Sequence, residues 1–129
     1  MSRLARNCCL IGALTLMLAV MASGLARHIL TTRLTANFLD LFRVALEYQY
    51  YHGMGLIFIG LLAARARRVN TLRMAAIMMI AGLLLFCGSV YAVALGGDHS
   101  IAHLAPIGGS AFMAGWALVA FALWRGDLS

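Results

Sequence analysis

Apolar residues arrive in four blocks, residues 8–25, about 48–64, 74–95 and 104–124, with all ten arginines in the gaps between them or beyond their ends. A helix needs roughly 20 mostly apolar residues to cross the hydrocarbon core of a bilayer. Each block reaches or approaches that length with no Asp, Lys or Arg inside it. Between the first two blocks, Phe38, Leu41, Phe42 and Ala45 follow the i, i+3, i+4, i+7 spacing, while Asp40, Arg43 and Glu47 share another face. That pattern predicts an amphipathic helix over about 37–47, capped by Thr35 or Asn37, with Arg43 able to pair with Asp40 and Glu47. No proline or glycine stands between Asn37 and His52, so this helix can run directly into the second span. Their combined length of ~42 Å exceeds the hydrocarbon thickness. Either the first half lies along the outer interface, or the rod bends near Gly53 and Gly55. The expected fold is all-α: one integral membrane domain over residues 1–129, a four-helix bundle with an additional interfacial helix between spans 1 and 2.

Composition supports a bilayer as the solvent. The chain is 64% hydrophobic and 11% charged, against about 45–50% and 25% in water-soluble domains. Its formal charge of +6 comes from ten arginines and no lysine against Asp40, Glu47, Asp98 and Asp127. A nucleic-acid partner would require basic residues along a polar face. Here they sit in the gaps between apolar blocks, which makes them a topology signal. On alternate sides of the four spans, seven arginines (3, 6, 65, 67, 68, 73 and 125) face three (27, 33 and 43). Arginine-rich short segments stay in the cytoplasm, so both termini are expected there. The rival for the first span is a cleaved secretory signal ending in Ala22, Ser23 and Gly24, although its apolar run is longer than such peptides carry.

Without a hydrophobic force between helices in lipid, small residues mark where backbones touch. Gly108, Ala111 and Gly115, with Gly109, form such a seam on span 4. Gly53 and Gly60 do so on span 2, Gly82 and Gly88 with Ser89 on span 3, and Gly12, Ala19 and Ala22 on span 1. The glycine-rich stretches lack the preceding strand and the Lys–Ser/Thr ending of a phosphate loop. Cys8, Cys9 and Cys87 form no C-x-x-C pair.

The stretch "LEYQYYHGMG", residues 46–55, opens span 2 with unusual polarity. Tyr48 and its neighbours suit the interfacial aromatic belt, while Gln49 and His52 lie deep enough to need hydrogen-bond partners. Tyr91 or Ser89 of span 3 are the expected partners of His52. The topology gathers the polar residues at the outer end: His28, Glu47, Tyr48, Gln49, His52, Ser89, Tyr91, Asp98, His99 and His103. Such a cluster can bind a transition metal or relay protons, or it simply stands where water begins. Gly96, Gly97 and Pro106 argue against a helix that spans both His99 and His103. No cofactor motif is present, and no serine has an evident base beside it in sequence.

Three segments, "EYQYYH", "LFCGSVYAVAL" and "APIGGSAFMAGWAL", occur in an order and spacing that resembles the small inner-membrane protein family typified by bacterial YgdD, which has a small eukaryotic transmembrane relative. The likeness runs from the first span to the fourth. One departure is Leu25-Ala26-Arg27 before His28, where the family tends to carry Gly-Ala-His. The resemblance implies a four-span membrane protein and carries no catalytic residues. The expected role is a non-enzymatic membrane component that packs in the lipid bilayer with itself or with other membrane proteins. The alternatives are a small-molecule or ion carrier that uses the polar outer face, and a metal-handling or metal-dependent membrane protein.

Overall fold

The computed structural model describes residues 1–128, whose regular elements are all helices, with no strand among them. Helix α1 spans Arg3–Arg33, opened by Ser2, whose side chain accepts from the Ala5 N–H at 3.2 Å. Helix α2 covers Ala36–Arg65, α3 covers Asn70–Ala94, and a 3-10 turn at His99–His103 leads into α4, Leu104–Trp124. Helices α1 and α3 each contain one wide π turn, at Ala26–Leu30 and Leu83–Cys87.

Glycine ends two helices in the same way. Gly96 (φ +96°) and Gly126 (φ +71°) take the left-handed conformation that L side chains resist. After each, the chain folds back: Gly97 N–H donates to Ala92 O at 2.8 Å and Asp127 N–H to Ala122 O at 3.1 Å. The fold-back at Gly126 buries Asp127 to 3% exposure.

Three helical stretches are long and apolar enough to cross a membrane: Arg3–Arg33, Asn70–Ala94 and His99–Trp124. The expected span at 48–64 is not among them, because the tyrosines, Gln49 and His52 lower the hydropathy of its first half. The expected helix at 37–47 is not a separate element either. With nothing to break it, it joins the following span in one uninterrupted 30-residue helix, and Gly53 and Gly55 do not interrupt it. Its apolar face packs on protein: Phe42 and Ala45 are buried, and Phe42 joins Ala26, Leu30 and Ala94 in a small second core. Leu41 points outward instead. Thr35 holds the N-cap position without a side-chain capping bond, and Arg43 reaches Asp40 at 3.9 Å across an exposed surface.

The helices pack antiparallel in pairs. A Cβ on Gly12 would lie 2.6 Å from Gly53 O, and one on Gly60 would lie 2.8 Å from Ala5 O. The descending run of α1 therefore meets the ascending run of α2 backbone to backbone. Between α3 and α4, Gly82 lies against Phe112, Gly108 against the backbone of Phe86, and Gly115 against Met79. Leu56 and Ile59 of α2, with Leu72 and Met79 of α3, are fully buried at the centre. Two expected seam positions do not serve as contacts. Gly88 faces open space, and Gly109 meets only Phe86 at an ordinary 3.9 Å, because both point away from the lines along which the helices touch.

Candidate functional site

The polar residues expected at one end divide into two groups. Four enter the interior or its margin, and two of them, Gln49 and Tyr91, tie helices together. Gln49 Nε2 donates to Thr15 O of α1 at 3.0 Å, and Tyr91 Oη of α3 donates to Gln49 Oε1 at 2.6 Å, so one amide joins three helices. An amide offers both a donor and an acceptor, which is why glutamine suits this junction. Ser89, buried to 3%, donates to Phe86 O within its own helix at 3.0 Å. The fourth is His52, buried to 4%.

His52 is held differently from the sequence expectation. Its Nδ1 lies 2.7 Å from Tyr48 O, one turn back on α2, and neither Tyr91 nor Ser89 is its partner. Because Tyr91 is taken by Gln49 and Ser89 by its own backbone, the imidazole turns toward α4. There it stacks on Phe112, centroids 3.5 Å apart and planes 12° apart, and lies near-parallel to Tyr48 at 5.7 Å. Trp116 completes the surround at 6.1 Å. Gly55 admits that indole: a Cβ there would lie 3.1 Å from the ring. The roles of Gly55, Phe112 and Trp116 were missed in the sequence. Their signal is the spacing of Gly108, Phe112, Gly115 and Val119, the buried stripe of α4.

The remaining outer residues stay apart. His28, Asp98, His99 and His103 are exposed. Asp98 caps the 3-10 turn through the Ser100 N–H at 3.1 Å. Both His99 and His103 lie on that turn, so helix does span them, against expectation. At three residues per turn, positions four apart point in different directions. Tyr51 donates to Glu47 on the surface of α2. Among the described residues no three His, Cys, Asp or Glu side chains stand close enough to hold a metal ion together. A hollow of about 600 Å³ at this end is lined by Ser23, Arg27, His28, Thr31 and Arg43 among others.

At the opposite end, Asp127 is a residue the sequence did not single out. Its backbone oxygen accepts from the Arg67 N–H at 2.9 Å, and its carboxylate lies 3.5 Å from Arg125 Nε. The end of α4 is thereby fastened to the short link between α2 and α3.

Comparison with known proteins places these features in a family. Residues 22–109 match the family described as "Protein of unknown function (DUF423)". The chain is similar to the UPF0382 membrane protein of Staphylococcus epidermidis, 33% identical over 113 residues that cover 88% of this chain and 91% of the relative. It is also similar to the UPF0382 membrane protein YwdK of Bacillus subtilis, 27% identical over 88% of this chain and 92% of the relative. With the UPF0382 inner membrane protein YgdD of Escherichia coli it shares 33% identity over 71% of this chain and 70% of the relative. No solved structure matches. The chain belongs to the DUF423 family, whose UPF0382 relatives are named as membrane proteins.

Proposed function

We propose that the protein is a four-crossing, non-enzymatic component of the bacterial inner membrane, with both termini cytoplasmic, that packs beside other membrane proteins or copies of itself. The observation that carries this reading is the distribution of its surface. Large apolar side chains cover the outside of every helix, among them Leu14, Met17, Phe58, Leu84 and Met113, while Gln49 and Tyr91 are spent inward as ties and Ser89 on its own backbone. The second helix counts as a crossing despite its modest hydropathy, because Leu56, Ile59 and Gly60 are enclosed by neighbouring helices and only a stripe including Met54, Phe58 and Leu61 faces outward. A helix surrounded by protein needs less lipid-compatible surface than an isolated one. The first turns of α2, with Arg27 and His28 of α1 beside them, then stand at the outer surface.

Helix α1 packs chiefly on α2, leaving Leu10, Leu14, Met17 and Met21 exposed. This face is the one offered to a neighbour. Photo-crosslinking from Leu14 and Met17 in native membranes, read by mass spectrometry, tests it. A reproducible protein adduct supports the reading; lipid adducts alone contradict it. The outer hollow beside Arg27 and Arg43 favours a second reading, a carrier for small anions, for which the test is anion uptake into proteoliposomes.

A further inference from the structure

Two neighbouring hollows on the flank of α2 and α4 share His52 and Trp116 as their common border. One, of about 480 Å³, is lined by Tyr51, Met54, Gly55 and Phe58; the other, of about 370 Å³, by Tyr48, Phe86, Ser110 and Phe112. Both volumes fall within the range that holds small organic ligands. Their rims carry exposed Met54, Phe58 and Met113, so with α2 crossing the bilayer as proposed the openings face sideways into the hydrocarbon rather than toward water.

The imidazole between them is only half satisfied. Tyr48 O is a carbonyl and can only accept, so the proton of the 2.7 Å bond sits on His52 Nδ1. In the neutral ring this leaves a lone pair on Nε2, and Nε2 has no hydrogen-bond partner among the described residues. It is also absent from the fully enclosed unpaired atoms, of which Asp127 Oδ2 is the single example there. A side chain buried to 4% thus presents one unpartnered acceptor to an opening that water does not supply. In hydrocarbon such a group has no solvent to satisfy it. Tyr51, Phe58 and Trp116 in one hollow, and Tyr48, Phe86 and Phe112 in the other, add aromatic walls, which favour offset-stacked or edge-on contact with another ring.

We infer that the His52–Trp116 groove binds a bilayer-dissolved aromatic alcohol, of the phenol or hydroquinone class, that enters from the acyl region and donates its O–H to His52 Nε2. The ring lies against Trp116 and Phe58, and any alkyl substituent follows the apolar rim. Ser110 and Tyr51, whose hydroxyls donate to Pro106 O and Glu47, are exposed residues, whereas His52 is the buried acceptor common to both hollows, so the selecting group is His52. This inference rests on the crossing of the bilayer by α2 proposed above and goes beyond the packing role.

A ring-fluorinated alkylphenol and its methyl ether provide the test, each titrated into nanodiscs that hold the full chain and followed by fluorine NMR against empty nanodiscs. The phenol should show saturable line broadening. The ether, identical except for the missing donor, should bind about three- to tenfold more weakly. His52→Phe should weaken the phenol by a similar factor and leave the ether unchanged. The ether comparison uses the unmodified protein, so it stands even if that variant fails to fold. Equal binding of phenol and ether, which is what a plain acyl-chain groove gives, overturns the inference. So does broadening no greater than in empty nanodiscs, or a disulfide-linked dimer from Met113→Cys showing that a second copy fills the groove.

Discussion

Replacing Gly12 with alanine adds one methyl group and should separate two helices. The new Cβ would lie 2.6 Å from Gly53 O, 2.7 Å from Ile57 Cγ1 and 3.0 Å from Ile57 N. The side-chain atom can turn away. The two backbone atoms cannot, because both belong to the continuous helix α2. Relief therefore requires α1 to move outward until the oxygen contact reaches the ~3.4 Å of ordinary packing, which loosens the neighbouring contacts of Ala5, Cys8 and Ala19. Overpacking of this kind costs about 1–3 kcal/mol. Alanine in a helix interior would by itself gain about 0.5–1 kcal/mol over glycine, so the sign of the change depends on which effect wins. Gly88 supplies the control, since it is helical and a Cβ there meets nothing within 4 Å. Gly88→Ala should be neutral or stabilising by up to about 1 kcal/mol, and Gly12→Ala, with the alanine gain subtracted, destabilising by about 0.5–2 kcal/mol net. The assay is SDS titration of the protein in lipid–detergent micelles, followed by tryptophan fluorescence. A Gly12→Ala protein as stable as the parent, or a Gly88→Ala protein less stable than Gly12→Ala, would refute the reasoning.

Further expectations follow from other contacts. Gln49→Leu removes both bonds that join α2 to α1 and α3 and should cost about 1–3 kcal/mol at ~0.6–1.7 kcal/mol per bond; a double-mutant cycle with Tyr91→Phe in the same titration should show coupling between the pair. Gly126→Val forces a β-branched residue to φ +71° and should release Asp127 from the Arg67 N–H, so that trypsin cuts after Arg67 and Arg68 about tenfold faster at the ~1–2 kcal/mol this strain is worth. Because Ala5, Cys8 and Gly12 pack into the interior, an N-terminal tag should remain on the protein recovered from membranes, as an immunoblot of that tag would show.

The helical character and three of the apolar helices were legible in the sequence, because runs of Leu, Ile, Val, Ala and Met leave few alternatives at that length. The glycine seams were legible where glycine recurs along one face: Gly53, Gly60, Gly82, Gly108 and Gly115 each meet another helix. Gly88 was misread because its rotational position depends on the π turn just before it, and a π turn leaves no sequence mark. In the segment over 37–47 Phe42 and Ala45 are buried and Leu41 is not; periodicity cannot say whether an apolar face meets lipid or protein, and Phe42 meets protein. For His52 the need for a partner was visible and the choice was not, since Tyr48 O is a backbone atom present at every position. Asp127 was invisible for a similar reason. Its burial follows from the fold-back at Gly126, not from its own chemistry.

Site-directed labelling of single cysteines in a background without Cys8, Cys9 and Cys87 tests the central claim most directly. Cysteines placed at Ser2, Arg68, His28 and Asp98 are exposed to an impermeant maleimide in intact spheroplasts and again after the membrane is opened. The account predicts that positions 28 and 98 react in intact spheroplasts, while 2 and 68 react only after opening. Reaction of 68 and 98 from the same side would contradict it.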